Sequence, residues 1–403
     1  MSSTTQDTAG SMLPLAGIRI IAVEQYGAGP FGTQHLADLG AEVIKIENRA
    51  DGGDVGRHVG PYYFDENDSH FYQSFNRNKK SMTLNLKSEQ GIEILHRLVQ
   101  NAAAVFNNLR GDLPEKLGLT YDALKHLNPQ LVCGHLSAYG RQGSRKAWPG
   151  YDYLMQAEAG YLSLTGEPDG PPSRMGLSII DLMTGTTAAM GLLAGILGAR
   201  ATGVGRDIDV SLYDVAVHNL AYVGTWYLNE GFSLKREPFS SHPSLTPSQL
   251  YRTADGWVFL MCNKEKFWGT LCKAIERHDW IASEQYCDFK SRLKNRDQLK
   301  QDLEVVLAAH TTEEWMTRFA GKVPAAPVYD VAQALDNDFI REQERILELA
   351  HPTTKVRVIA SPVRAGEHPV RAAPAMGQDN AALLSEIGYS ESQIQSFLES
   401  AVI

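Results

Sequence analysis

The chain has 403 residues, 43 % of them apolar and 21 % charged, with a formal net charge of −9. The length exceeds one simple core and implies two domains or lobes; the composition is that of a globular protein. The acidic balance argues against bulk nucleic-acid affinity, though it leaves room for a local basic pocket.

Residues 1–12 are polar and lack the apolar core of a signal peptide, so they are expected to form a disordered arm on a cytoplasmic protein. Residues 18–23 read as a buried strand, followed by a glycine turn, a short helix around 33–39 that stops at Gly40, and a second strand at 41–46 that ends at Glu47. Residues 81–86 alternate like a strand, and Ser88 caps a helix with Ile92, Leu95 and Val99 on one face. Short strands follow at 103–106 and 131–135, and this alternation predicts a parallel sheet covered on both sides.

Residues 182–199 carry no charge over 18 positions, near the length of a membrane span. Four glycines and three threonines in that stretch favour a tightly packed core helix instead, with Gly191-x-x-x-Gly195 admitting another backbone. Residues 210–227 look helical, and 232–248 break the pattern with three prolines. Asp255-Gly256 marks a hairpin turn inside a smaller α+β lobe. Four prolines between 351 and 375 suggest an extended return, and Ser390-x-x-Gln393 caps a closing helix.

Three motifs carry chemistry. Gly27-Ala28-Gly29-Pro30-Phe31-Gly32 follows a strand, and Glu47 lies 20 residues after its first glycine, the setting of a dinucleotide site. Pro30 lacks the amide that would cradle a pyrophosphate, so a simple strand-to-helix turn is the competing reading. Asn76-Arg77-Asn78-Lys79-Lys80-Ser81, with Arg57 and Lys87, is either a phosphate-binding cluster or a solvated loop. The run Arg174-Met175-Gly176-Leu177-Ser178-Ile179-Ile180-Asp181 reads as strand-like and ends on a carboxylate where the long uncharged helix begins. Asp181 is then either a helix cap or a nucleophile that the helix end keeps ionised. Cys133, Cys262, Cys272 and Cys287 have no zinc-type spacing and read as reduced thiols. No pairing among His35, His58, His135, His218 and His242 supports a metal site or a catalytic dyad.

Segments running in order along nearly the whole chain resemble the family III CoA-transferases, the CaiB/BaiF group that also holds the α-methylacyl-CoA racemases. They are Pro14-Leu15-Ala16-Gly17-Ile18-Arg19-Ile20, Ala28-Gly29-Pro30, Leu39-Gly40-Ala41-Glu42-Val43-Ile44-Lys45-Ile46-Glu47, residues 76–81, Tyr151-Asp152, Gly170-Pro171-Pro172, residues 176–185, Thr202-Gly203-Val204-Gly205-Arg206 and Gly377-Gln378. The resemblance implies an α/β fold: a Rossmann-like large domain with an inserted smaller α+β domain, in ring-shaped protomers that interlock as a homodimer. The expected segments are a large CoA-binding domain at 13–205, a linker helix at 206–234, a small domain at 235–325, a return linker at 326–375 and C-terminal helices at 376–403.

The resemblance places the catalytic aspartate at Asp181, with Asp152, Tyr151 and His242 as supporting candidates. It places CoA contacts at Tyr26, Gly27, Ala28, Leu84, Lys87, Asn108, Leu109, Lys116 and Leu117. The implied activity moves CoA from an acyl-CoA donor to a carboxylic acid, with CoA as substrate, no tightly bound cofactor, no metal, no nucleic acid and no membrane. Asp181 would form an anhydride and then an aspartyl-CoA thioester, with the amides following it as oxyanion donors. Arg57, Arg77 and Arg174 are candidates for a second carboxylate, which would favour donors such as succinyl-CoA. The rivals are a racemase, a dinucleotide-dependent oxidoreductase and a non-catalytic CoA binder. The racemase branch carries Gly-His-Asp where this chain has Gly150-Tyr151-Asp152, and tyrosine is a poor base at neutral pH.

Overall fold

Aliphatic runs build one six-stranded parallel sheet in the computed structural model, which describes residues 13–366 and 368–403. The expected arm at 1–12 lies outside the described residues. The strands are β1 (Arg19–Val23), β2 (Glu42–Glu47), β3 (Lys80–Thr83), β4 (Ala104–Asn107), β5 (Val132–Ser137) and β6 (Arg206–Ser211). Their order is β3-β2-β1-β4-β5-β6, with Ile21 level with Ile44 on one side and Val105 on the other. Strands β4 and β5 are buried at every residue, as a sheet covered on both faces requires. The chain winds outward from β1 to β3 and then returns to β4 beside β1. Ligands in such sheets bind where that direction reverses, beyond the strand ends. The loops after β1 and β4 meet there.

The first unit also holds α1 (Ala28–Asp38), α2 (His70–Asn76), α3 (Glu89–Gln100), α4 (Asp152–Glu158), α5 (Ile179–Thr202) and α6 (Leu212–His218). Ser88 Oγ accepts the Gly91 amide and starts α3, which buries Ile94, Leu95, Leu98 and Val99 against the sheet. Each such side chain contributes about 1.5–3 kcal/mol relative to exposure. Helix α5 is long and apolar enough to cross a membrane by length and composition, but it packs on β5, β6 and α1. Its backbone contact is with α1. A Cβ on Gly32 would stand 2.4 Å from the Gly185 carbonyl oxygen, and one on Gly185 would stand 2.4 Å from that of Ala28. The expected approach at Gly191-x-x-x-Gly195 is not to another backbone: Gly195 faces the side chains of Val132 and Ile208.

Residues 206–211 are not the start of a linker helix, because they pair with β5 along its whole length. Helix begins at Leu212, and a second segment, α7 (Ala221–Glu230), follows α6.

The second unit comprises Gly160–Met175 and Tyr222–Glu342. Its antiparallel sheet has β7 (Ser248–Arg252), β8 (Trp257–Met261) and β9 (Ala325–Pro327), with β8 central. The turn at Asp255-Gly256 joins β7 to β8, as expected, and the Thr253 amide reaches the Gly256 oxygen at 3.1 Å. Helices α8 (Glu265–Ala274), α9 (Arg296–Leu307) and α10 (Thr312–Phe319) close a core around Trp268, Trp315 and Phe319.

The chain then rejoins the first unit. Where an extended return was expected, β10 (Ile346–Ala350) and β11 (Lys355–Ile359) form an antiparallel hairpin. Helices α11 (Asn380–Glu386) and α12 (Glu391–Glu399) complete the unit, and Ile394 and Phe397 enter the sheet's core. The Ser390–Gln393 capping box is formed in full.

Candidate functional site

Asp181 sits inside the first turn of α5, two residues after Ile179, and the N-cap is Ser178. The preceding run is therefore not a strand, and Asp181 is not the cap. The Asp181 amide donates to Asp152 Oδ2 at 2.9 Å, and Gln156 Nε2 holds the other Asp152 oxygen at 2.6 Å. Asp152 thus caps α5 from the start of α4. The Asp181 side chain is buried and its carboxylate accepts no hydrogen bond among the described residues. Burial, then the charge of Asp152, push its carboxyl up to about 7. The helix start was expected to favour the ionised form; desolvation outweighs it. The Leu182 amide is bonded to the Ser178 oxygen at 3.1 Å, so it is not an oxyanion donor.

The free amides lie on the facing helix. A Cβ on Gly27 would stand 2.7 Å from Asp181 Oδ2, so only glycine lets the carboxylate approach the start of α1 so closely. Ala28 and Gly29 are the first residues of α1 and have no intrahelical acceptor for their amides. This arrangement also answers the dinucleotide fingerprint. A carboxylate already stands where the pyrophosphate of a dinucleotide would lie. Glu47 is equally unavailable to a ribose: its oxygens accept from Arg57 Nε and Nη2, the Asp54 amide and Ser81 Oγ.

Two cavities flank this point within the first unit. One is lined by Asp181, Tyr26, Gly27, Ala28, Asn108 and Tyr151, among others. The other lies beyond β1, β2 and β3 and is lined by Leu84, Lys87 and Leu117. Gln25 and Leu109 line both. Lys87 is exposed at the second cavity. The Asn108 amide group is committed to the Gln25 backbone, accepting at 2.9 Å and donating at 2.7 Å, so it shapes the loop. Lys116 lines neither cavity and pairs with Asp112 at 2.6 Å.

The expected substrate cations at Arg57 and Arg77 are not available. Arg57 is buried with both its Nε and Nη2 on Glu47 at 2.7 Å and Nη2 on the Tyr72 hydroxyl at 2.6 Å. Arg77 is buried on Asp38, with Nη1 on the Ile359 oxygen at 2.7 Å. Lys79 is buried as well, so this basic segment is neither a phosphate cluster nor a solvated loop, and its charges hold the fold together. Arg174 and His242 belong to the second unit. Arg174 is exposed and donates to the Met175 oxygen. His242 Nδ1 accepts the Ser244 and Leu245 amides at 3.1 Å. Of the remaining histidines, His135 is locked between Asn107 and Asp207 in the sheet. Among the described residues no group of three His, Cys, Asp or Glu side chains could hold a metal.

The residues that sequence reasoning passed over are Glu24, Lys45 and Asp54, which join Lys79 in a buried charge cluster under the loop after β1. A signal was present: Lys45 interrupts the apolar run Val43-Ile44-Lys45-Ile46, and a charge in a covered strand demands partners.

A reversal point in a parallel sheet, bearing a buried carboxylate with no hydrogen-bond donor of its own, defines an α/β enzyme equipped for group transfer. The chain belongs to CoA-transferase family III, whose family model matches residues 15–380, and it is a CoA-transferase acting on CoA thioesters. It is 33 % identical to the succinyl-CoA:mesaconate CoA-transferase of Haloarcula hispanica over 93 % of this chain and 96 % of that protein. It is 32 % identical to the succinyl-CoA:glutarate CoA-transferase of Mus musculus, over 99 % of this chain and 92 % of that one. A CaiB/BaiF family protein from Brucella suis, solved by crystallography, superposes with a TM-score of 0.80 at 29 % identity, covering 93 % of this chain and 99 % of its own.

Proposed function

We propose that the enzyme moves CoA from a dicarboxylyl-CoA donor, succinyl-CoA being the leading choice, to a carboxylic acid acceptor, with Asp181 as nucleophile. The observation that carries this reading is the Asp181 carboxylate itself: buried, without a hydrogen-bond donor, and held against the start of α1 beside a cavity. An acid so placed gains reactivity because little solvation must be removed before attack.

A carboxylate oxygen of Asp181 attacks the donor thioester carbonyl. The C–S bond breaks, leaving a mixed anhydride and CoA thiolate. The thiolate then attacks the aspartyl carbonyl, the anhydride C–O bond breaks, and the donor acid leaves. The acceptor carboxylate attacks the resulting aspartyl-CoA thioester, and the returned thiolate takes the acceptor's acyl group and frees Asp181. Every bond broken is matched by one formed, so no ATP is consumed. The Ala28 amide is the oxyanion donor in this scheme, since it has no intrahelical acceptor and Ala28 lines the cavity with Asp181. The cavity at Leu84, Lys87, Leu109 and Leu117 takes the nucleotide end of CoA, with apolar walls for adenine and the exposed ammonium for phosphate. The wall shared at Gln25 and Leu109 carries pantetheine toward Asp181.

The names of the relatives support a dicarboxylate donor. Among the described residues no histidine lines the cavity at Asp181, which argues against a racemase. The assembly we infer is an interlocked homodimer: α7 buries none of its residues in this chain and exposes Tyr222, Tyr227 and Leu228. Free thiols at all four cysteines suit a cytoplasmic setting.

The test is a matrix of acyl-CoA donors against mono- and dicarboxylic acids, with hydroxylamine trapping and peptide mass mapping during turnover. The expected result is an adduct on Asp181 that depends on the donor. Turnover without any mark on that residue would overturn the assignment, and α-hydrogen exchange without acid transfer would install the racemase in its place.

A further inference from the structure

The loop from Glu24 to Gly29 leaves β1, lines both cavities and ends on α1. Its middle residue, Tyr26, has φ of +67°, a left-handed conformation that a non-glycine residue keeps only when its surroundings hold it there. The holding groups are charged and wholly buried. Asp54 Oδ1 accepts the Tyr26 amide at 2.8 Å, and Asp54 Oδ2 lies 2.7 Å from Lys45 Nζ. Lys45 Nζ also donates to the Glu24 carbonyl at 2.9 Å. Lys79 Nζ donates to Glu24 Oε1 at 2.7 Å and to the Pro30 carbonyl at 2.8 Å. One neutral set of two carboxylates and two ammonium groups therefore fastens the loop's beginning, its middle and the first turn of the helix after it.

Stability alone does not account for such a set. Burying four charges costs about as much as their pairing returns, and apolar side chains of similar volume would fill the space as well. What apolar side chains would not supply is an acceptor for the Tyr26 amide and donors to the backbone carbonyls of Glu24 and Pro30. We propose that Asp54, Lys45, Glu24 and Lys79 are positioning residues that set the shape of the Tyr26–Ala28 loop for CoA, an assignment that rests on the reading of this loop as the CoA contact. Lys45 and Lys79 line neither cavity, Glu24 and Asp54 border the one given to the nucleotide end of CoA, and all four act through the backbone they hold.

The experiment compares full-length wild type, Asp54→Ala, Asp54→Asn and Thr33→Val, the last removing the hydroxyl that donates to Glu24 Oε1 at 2.8 Å. Each is measured for CoA affinity by calorimetry, for KM and kcat with a succinyl-CoA donor, and for thermal midpoint. Asp54→Ala is expected to weaken CoA binding and raise KM about tenfold or more. Asp54→Asn, which keeps an acceptor for the Tyr26 amide, is expected to recover most of that loss. Should Asp54→Ala fail to fold, Asp54→Asn and Thr33→Val carry the test with milder but measurable KM increases. Thermal midpoints that fall while CoA affinity and KM stay at wild-type values would overturn the proposal and leave the cluster purely structural. Wild-type protein that binds no CoA would overturn the reading of the loop itself, and this inference with it.

Discussion

Glu47 and Asp181 are both buried carboxylates at the same end of the sheet, and their surroundings drive them in opposite directions. For each, burial by itself raises the pKa. At Glu47 the hydrogen bonds and charge of Arg57 overcome that effect, joined by Lys45 and Ser81, and hold the carboxyl down at about 2. At Asp181 no donor answers, the Asp152 charge adds to burial, and the carboxyl stands at about 7. A carboxylate with every lone pair occupied is a structural element; one left bare is available for bond formation. Residue type and burial do not distinguish the two. Their partners do.

The sharpest way to break the comparison is to remove each acid's defining neighbour or oxygen. Asp181→Ala is expected to lower turnover about a thousandfold or more while CoA still binds, measured by steady-state kinetics and calorimetry. Arg57→Ala strikes the other acid. It leaves Glu47 buried without its charged hydrogen-bond partner, and a loss of about 3–5 kcal/mol in denaturant unfolding is expected. Activity per folded molecule should change little.

Stability against pH separates the two carboxyls by sign. The Asp181 carboxyl titrates in the fold near 7, above its ordinary value of about 3.9. Between those values the unfolded chain binds fewer protons than the fold, so this residue's contribution to stability is lost as pH rises. Asp181→Asn removes that slope and is expected to raise unfolding free energy at pH 8 by up to about 3 kcal/mol, with no gain below pH 4. Glu47 runs the other way: its contribution is present above its ordinary pKa and is lost as pH falls toward 2.

The smallest effect expected is kinetic. The acidic limb of kcat/KM should rise with pH to a midpoint near 7 as Asp181 ionises. Asp152→Asn keeps an acceptor for the Asp181 amide but removes the repelling charge, so the midpoint should move toward acid by up to about one pH unit. An unmoved midpoint would show that burial alone sets it.

The sheet was legible because covered strands read as aliphatic runs and α3 as a capped amphipathic helix. The carboxylate at position 181 was legible through its motif and register. Its protonation was not, because burial raises it first and the charge of Asp152, 29 residues away, adds to that only once α4 and α5 are placed. Arg57 and Arg77 misled for a related reason. Read along the chain they are unpaired cations, Arg57 beside a glycine turn and Arg77 in a basic segment, but their partners, Glu47 and Asp38, lie on other elements. The strand at 206–211 was hidden by its composition: Arg206, Asp207 and Asp209 mask an edge strand that pairs on one side only. The close helix crossing was misplaced because spacing marks where glycines occur and says nothing of which face meets a neighbour.

The contact of Gly32 with Gly185 leaves no clearance between two parts that must work at one separation. Asp181 lies one turn before Gly185, and the Ala28 amide lies one turn before Gly32. A single methyl group on either glycine would act as a wedge, with the 2.4 Å gap too narrow to absorb it. Asp181 and the start of α1 would then part together. The distance from Asp181 to α1 is gauged by the side chains that two residues lack.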